Sequence, residues 1–300
     1  MAADPAFSSP KQLLDARHLR PRKRFGQNFL TDPRVASRIA AALPHDGFVI
    51  EIGGGTGTLS AALASIAREL VVVEIDRDLS VILRDRFDDA PNVRILSKNI
   101  LELDLSQMLA ASEPPRAVCG NLPYYITTPI LEQLLQAAGI WQCSVLMVQR
   151  EYAQRLVARA GTPAYGSLSV YASYFADIEK LFDVGAAGFY PNPQVRSSVV
   201  RLSPKPKRAA AVRDEALLLW LIRAAFRHRR KTLVNSLLEA LPEQQRDARA
   251  GIEGVLAELG HDRHVRGERL TLAEFCRLAD TLKQQHLLER SWTSRLITTP

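Results

Sequence analysis

Apolar positions recur with helical spacing from about residue 31, with Asp32 or Thr31 placed to cap and Pro33 in the first turn, and predict a helix to about Ala42. The period then shortens. Phe48-Val49-Ile50-Glu51-Ile52 predicts a buried strand, followed by a glycine turn and an Ala/Leu-rich helix over 58–68. Leu70 to Ile75 predicts the next strand, 78–88 a helix, and Val93 to Leu96 a third strand. Ala117-Val118-Cys119 and Ser144 to Val148 predict two more strands, separated by a helix over 128–138. Strand alternating with helix implies an α/β fold, a parallel sheet covered on both faces. Residues 165–203 are less regular, with a Gly/Pro-rich passage from Gly185 to Pro193 before the β-branched run Ser198-Val199-Val200-Arg201-Leu202. Pro204 to Arg208 reads as a linker. Beyond it the pattern is helical throughout, over about 212–227, 229–240, 247–259 and 271–286, which predicts a small all-α domain. The boundaries expected are a basic leader at 1–24, the α/β domain at 25–204 and the helical domain at 205–300.

Composition narrows the class. The chain has 300 residues, 47% hydrophobic and 24% charged, which excludes disorder, collagen and a disulfide mini-scaffold. No apolar run approaches the ~18 residues of a membrane span, and the N-terminal residues lack the apolar stretch of a secretory signal, so a cytoplasmic protein is expected. Cys119, Cys143 and Cys276 are odd in number and far apart. They offer neither a metal or redox pair nor a disulfide framework, and are expected as small buried hydrophobes.

The net charge of +7 is unevenly spread. Residues 1–30 carry +4, residues 31–208 are neutral and residues 209–300 carry +3. The densest points are Arg17 to Arg24, including Arg22, Lys23 and Arg24, and Arg227-His228-Arg229-Arg230-Lys231. Each can meet several phosphates of a nucleic acid, or form a solvated basic face; charge alone leaves both open.

Gly53-Gly54-Gly55-Thr56-Gly57 falls where a strand gives way to a helix, a place where bare backbone approaches a ligand. A dinucleotide fingerprint counted from Gly53 needs glycine at 58, where Thr58 stands. Nicotinamide and flavin are therefore disfavoured. A GxGxG loop suits S-adenosylmethionine, which has no pyrophosphate to seat and needs room for its methionine moiety. Glu74, at the end of the second strand, can accept both hydroxyls of an adenosine ribose. Asp76 and Asp78, just before a helix, read first as cap and dipole partner.

Asn121-Leu122-Pro123-Tyr124 follows another strand end and faces the same sheet edge. An adenine amino group is a poor nucleophile because its lone pair is delocalised, and it must pyramidalise before attacking a methyl group. Two acceptors at its N–H groups favour that change. The Asn121 side-chain oxygen can be one and the Leu122 carbonyl the other, its direction restricted by the following proline. Both also stabilise the positive charge that builds on nitrogen. Tyr124 offers a flat face for a base swung out of its stack. The bland reading of the same residues is an Asn-Pro turn.

Five motifs in this order are highly specific: Phe25 to Leu30 (FGQNFL), Glu51 to Gly57, Asn121 to Tyr124, Phe189 to Ser197 (FYPNPQVRS) and Arg229 to Leu237 (RRKTLVNSL). Through them the chain, over residues 18 to about 285, resembles the S-adenosylmethionine-dependent ribosomal RNA adenine dimethyltransferases, in their small-subunit branch. The resemblance implies a Rossmann-like class I methyltransferase sheet with a helical C-terminal domain. It implies that Asn28 and Leu30 contact the methionine end of the cofactor, that Gly53 and Gly55 line it at the glycine loop, that Glu74 holds its ribose, and that Asn121 binds the reacting amine. It also implies that Phe189, expected to be exposed in its Gly/Pro-shaped loop, clamps the target base opposite Tyr124. Two departures stand out. Asn99 occupies the position of a family Asp that accepts from the cofactor's adenine amino group, and is expected to keep that role with weaker binding. Tyr125 follows the tetrapeptide where many relatives carry Asn, and could add stacking surface or simply pack.

The substrate implied is a pair of adjacent adenosines in the 3′-terminal hairpin loop of small-subunit (16S) ribosomal RNA in a 30S pre-ribosomal particle, each taken to N6,N6-dimethyladenosine by an enzyme that is monomeric when free. Three other readings compete: a 23S ribosomal RNA adenine methyltransferase of the antibiotic-resistance type, an assembly factor with incidental methylation, and a small-molecule methyltransferase. The last leaves the basic ends without a purpose. His261 and His264 have no supporting ligand set, the chemistry needs no metal, and none is expected.

Overall fold

The computed structural model describes residues 9–22, 25–205, 212–228, 230–241 and 248–285. Its first half runs α1 (Pro10–Ala16), β1 (Phe29–Leu30), α2 (Pro33–Ala40), β2 (Phe48–Ile52), α3 (Thr58–Ala64), β3 (Glu69–Glu74), α4 (Arg77–Arg86), β4 (Val93–Ser97), α5 (Leu105–Ala110), β5 (Arg116–Asn121), α6 (Thr127–Gln136) and β6 (Cys143–Gln149). The rest runs α7 (Arg150–Leu156), α8 (Ser167–Phe175), β7 (Ala176–Val184), β8 (Phe189–Tyr190), β9 (Ser197–Pro204), α9 (Glu215–Ala225), α10 (Leu233–Ala240), α11 (Arg249–Glu258) and α12 (Leu272–Gln284).

Strands covered by helices on both faces need apolar residues at every position, and β2 is buried along its whole length. The sheet order is β4-β3-β2-β5-β6-β9-β7. The first five strands are parallel, with Ile52 opposite Val73 on one side and Gly120 on the other. Between β2 and β5 the order reverses, which opens a crevice at the carboxyl ends of the strands. The expected all-parallel sheet is corrected to a mixed one: β9 returns antiparallel to β6, from Ser144 opposite Leu202 to Gln149 opposite Ser197.

Among the described residues, one compact unit comprises everything up to Ala153 together with Asp177–Pro204. The other comprises Gln154–Ala176 and everything from Lys205 onward. The helical unit therefore includes α8, a segment expected within the α/β domain. Six of the nine α8 residues are buried, so it shows no polar stripe from which a helical period could be read. Tyr165 packs edge-on against Phe226, which in turn meets Phe275 of α12.

Residues 9–22, the described part of the basic leader, carry a helix. Ser9 and Gln12 form a capping box at the start of α1, and Leu14 is buried with Phe29 and with Leu79 and Ile82 of α4. Phe29 and Leu30 then pair antiparallel with Tyr190 and Phe189 as a two-stranded sheet. Among the described residues no helix is long and apolar enough to cross a membrane.

At the reversal point, a Cβ on Gly120 would lie 2.5 Å from the Ile52 carbonyl oxygen, which is backbone and cannot step aside. Gly120→Ala should lower stability by about 1–3 kcal/mol, the usual cost of overpacking. Urea unfolding checks this.

Candidate active site

Four strand ends meet at the crevice. Beyond β2 the chain turns through Gly53, Gly55 and Gly57, all with positive φ. Gly55 is constrained twice: its φ is +56°, and a Cβ there would stand 3.0 Å from the Phe29 ring. The glycine loop thus lies directly under strand β1.

Glu74, at the end of β3, is 5% exposed. One carboxylate oxygen accepts from the Gly55 N–H and the other from the Asp76 N–H, both at 2.9 Å. Burial pushes its pKa up, and these two bonds pull it back. The residue expected to hold ribose therefore also fastens the loop, with lone pairs left on both oxygens. Asp76 caps α4 as expected, through the Asp78 N–H. Its carboxylate additionally receives Arg22 at 2.7 Å and Gln27 Nε2 at 3.0 Å, while the Arg22 backbone N–H donates to Gln27 Oε1. Arg22 also reaches Asp78. Its guanidinium is thus committed to two carboxylates; Lys23 and Arg24 lie outside the described residues.

Asn121 ends β5. Its Nδ2 donates to the Asn28 backbone carbonyl at 3.0 Å, which leaves Oδ1 as the acceptor end of the amide. The Asn28 side chain in turn donates to the Gly26 carbonyl. Leu122 is buried, its N–H held by the Met147 carbonyl of β6. The Tyr124 hydroxyl bonds to the buried Ser197 hydroxyl at the start of β9, 3.1 Å away, which anchors the ring. Asn28, Leu30, Gly53, Gly55, Glu74, Asn99, Asn121, Leu122 and Tyr124, all singled out in the sequence, line this one crevice.

Phe189 does not. It was expected exposed and is 2% exposed, packed in the main core and paired with Leu30. The Gly/Pro-shaped loop buries it because β8 is drawn onto β1. The exposed aromatic at the crevice is Tyr125, 54% exposed and lying against Gly26. It is not a core residue. Asn99 lines the crevice, but its oxygen caps the short turn Ile100–Glu102 through the Leu101 N–H, and its Nδ2 donates to Glu102.

Of the helical-unit basic cluster, Arg227, Arg230 and Lys231 are exposed; Arg229 lies outside the described residues. Lys231 and His228 both face Glu239. His261 is paired with Glu274 at 2.9 Å, and Arg263 Nε reaches the His264 ring. Cys119 and Cys276 are buried and Cys143 is half-buried, all three as free thiols.

Glu51, the acid in the middle of β2, is wholly buried, lines the crevice, and has neither carboxyl oxygen hydrogen-bonded. Burial pushes it up to about 8. Its signal was visible in the sequence as one acid within an apolar strand. The lone pairs left on Glu74 and the bare backbone of the glycine loop suit a ligand with an adenosine end, as S-adenosylmethionine has. Bound there, that cofactor supplies an electrophilic methyl group on a sulfonium.

An open α/β sheet with a crevice at its reversal point is a cofactor-binding architecture, and the family and relatives below make it that of an S-adenosylmethionine-dependent methyltransferase. A family model described as ribosomal RNA adenine dimethylase matches residues 18–276. The chain is 39% identical over 293 residues to the ribosomal RNA small subunit methyltransferase A of Levilactobacillus brevis, covering 95% of this chain and 98% of that one. It is 41% identical over 261 residues to the protein of the same name from Hahella chejuensis, covering 86% and 92%. Among solved structures, a dimethyladenosine transferase from Plasmodium falciparum superposes with a TM-score of 0.74 at 23% identity, over 86% of this chain and 98% of the other. The 23S rRNA methyltransferase ErmE superposes with 0.64 at 26% identity, over 86% and 100%. The chain belongs to the ribosomal RNA adenine dimethylase family.

Glu51 makes stability depend on pH. Between its ordinary 4.5 and about 8 the folded protein keeps a proton that the unfolded chain has released, so stability falls as pH rises through that window. Glu51→Gln should flatten this fall, as measured by thermal unfolding in the absence of cofactor from about pH 5 to 8. An unchanged slope would locate its source elsewhere.

Proposed function

We propose that this protein transfers methyl groups from S-adenosylmethionine to N6 of two adjacent adenosines in the 3′-terminal hairpin loop of 16S ribosomal RNA, in a 30S pre-ribosomal particle, as a cytoplasmic monomer. The observation that carries the reading is the Asn121 amide, its nitrogen tied to Asn28 and its oxygen left to accept. Asn121 Oδ1 takes one N–H of the target amine and the Leu122 carbonyl the other, which pyramidalises the nitrogen and frees its lone pair. Both oxygens stabilise the positive charge that forms, and the surplus proton leaves afterwards to water, so no strong base is needed. Tyr124, fixed by Ser197, supports the base face. Glu74 and the glycine loop hold the adenosine end of the cofactor, Asn99 adds an amide at its adenine, and Asn28 and Leu30 border its methionine end.

The small subunit is favoured because the more similar relatives carry that subunit in their names, at 39–41% identity against 26% for the 23S enzyme. Arg227, Arg230 and Lys231, exposed on the helical unit, supply phosphate contacts.

Incubation with small and large subunits from a strain lacking the modification, followed by mass analysis of RNA fragments, tests the reading. Two dimethyladenosines should appear in 16S RNA with the wild type; label confined to 23S RNA would sink it. Asn121→Ala should lower kcat by about 100-fold or more, a larger effect than any weakening of cofactor binding from the lost bond to Asn28, since the lost acceptor acts on developing charge. Replacing Arg227, Arg230 and Lys231 together by Ala should weaken particle binding and reduce its log–log salt slope by up to about 3, leaving cofactor affinity unchanged.

A further inference from the structure

A second groove, of about 920 Å³, lies beside the catalytic crevice and shares a wall with it. Gly26, Gln27, Asn28 and Tyr124 line both. The volume falls within the roughly 300–1,000 Å³ of ordinary ligand pockets and is ample for a nucleoside. We propose that this groove receives the nucleotide adjacent to the target adenosine, with its base laid against Tyr190. The inference rests on the reading above that the target lies in a strand of adjacent adenosines.

Continuity comes first. A base that enters the crevice along Tyr124 leaves its chain neighbour at the opposite side of the same wall, and the groove begins there. Rigidity is the second observation. Tyr190 pairs with Phe29 across the β1–β8 sheet and packs, with Leu19, against the buried cluster of Leu14 and Phe29. It remains half-buried rather than enclosed, so it offers a supported aromatic surface to the groove. Chemistry is the third. Gln149, Asn192 and Gln194 bring neutral amides, which donate to and accept from base edges, and among the described residues Arg20 brings a cation for a phosphate. Asp15 also lines the groove, opposite in sign to that phosphate, and its carboxylate can accept from a base amino group or ribose hydroxyl. An aromatic platform beside neutral amides is the lining that single-stranded RNA uses; an apolar segment would call for fewer amides.

The test uses small-subunit particles reconstituted with 16S RNA in which each of the two adenosines is replaced in turn by an abasic nucleotide. In at least one arrangement the wild-type kcat/KM for the remaining adenosine should fall roughly 5- to 100-fold, the range of one lost base–aromatic stack. Guanosine at that position should restore most of the rate. Tyr190→Ala should show the same loss on unaltered particles and no further loss on the abasic ones, while Tyr190→Phe keeps the wild-type rate. Unchanged affinity of Tyr190→Ala for S-adenosylmethionine reports an intact fold; should that variant not fold, the abasic comparison with wild type decides alone. Full wild-type rates on both abasic particles, or losses that multiply between Tyr190→Ala and the abasic RNA, would overturn the proposal. Failure of the substrate reading itself looks different: the wild type would then methylate neither adenosine of unaltered particles.

Discussion

The hydrogen bond from the Asn121 amide to the Asn28 backbone carbonyl joins segments 93 residues apart and decides what the site can do. A primary amide has a donor end and an acceptor end, and free in water it presents either. Tying the donor end to a backbone oxygen fixes the other as an acceptor before any substrate arrives, so no reorganisation is needed as charge develops on the amine. An aspartate of the same shape could not make the bond, because both its ends accept. The position of Asn28 depends in turn on β1, which is held by β8 on one side and rests on Gly55 on the other. The short strand that follows the leader is thus a structural part of the crevice edge.

Two buried acids in one crevice show how burial and hydrogen bonding oppose each other. Burial pushes both carboxyls upward. Glu74 is met by two backbone N–H groups that stabilise its anion, whereas Glu51, opposed only by the nearby Ser60 hydroxyl and disfavoured further by Glu74, is pushed up to about 8. From Glu74 a continuous set of bonds runs through Asp76 to Gln27 and Arg22. The Glu74 carboxylate, the glycine loop, Gln27 and Arg22 therefore form one network in which loosening any member loosens its neighbours.

The parallel half of the sheet, the glycine loop, Glu74 and the Asn121–Tyr124 turn were legible in the sequence because each is local: a buried strand, a tight turn, a strand end. What was not legible depends on pairing at a distance. Phe189 reads as exposed from its Gly and Pro neighbours, and only its pairing with Leu30 makes it core. Arg22 reads as one more basic residue until Asp76 and Asp78 are brought to it from 54 and 56 positions away. Helix α8 escapes because burial on most sides erases its period. β7 escapes for the opposite reason, since its polar residues leave only its two ends fully buried.

Dimethylation puts a further demand on the same residues. In the proposed arrangement an unmodified adenine amine has two N–H groups, one for the Asn121 oxygen and one for the Leu122 carbonyl, but after the first transfer it has one. The second methyl must then be delivered with half the hydrogen bonding, on an amine that has also gained bulk. Orientation of the base falls more heavily on contacts that do not involve N6, namely the ring of Tyr124 and the hydroxyl bond to Ser197 that keeps it still. A tyrosine anchored by its hydroxyl to a buried strand serves this better than an unanchored ring. Its position then stays the same for both transfers, while the hydrogen bonds at the amine do not.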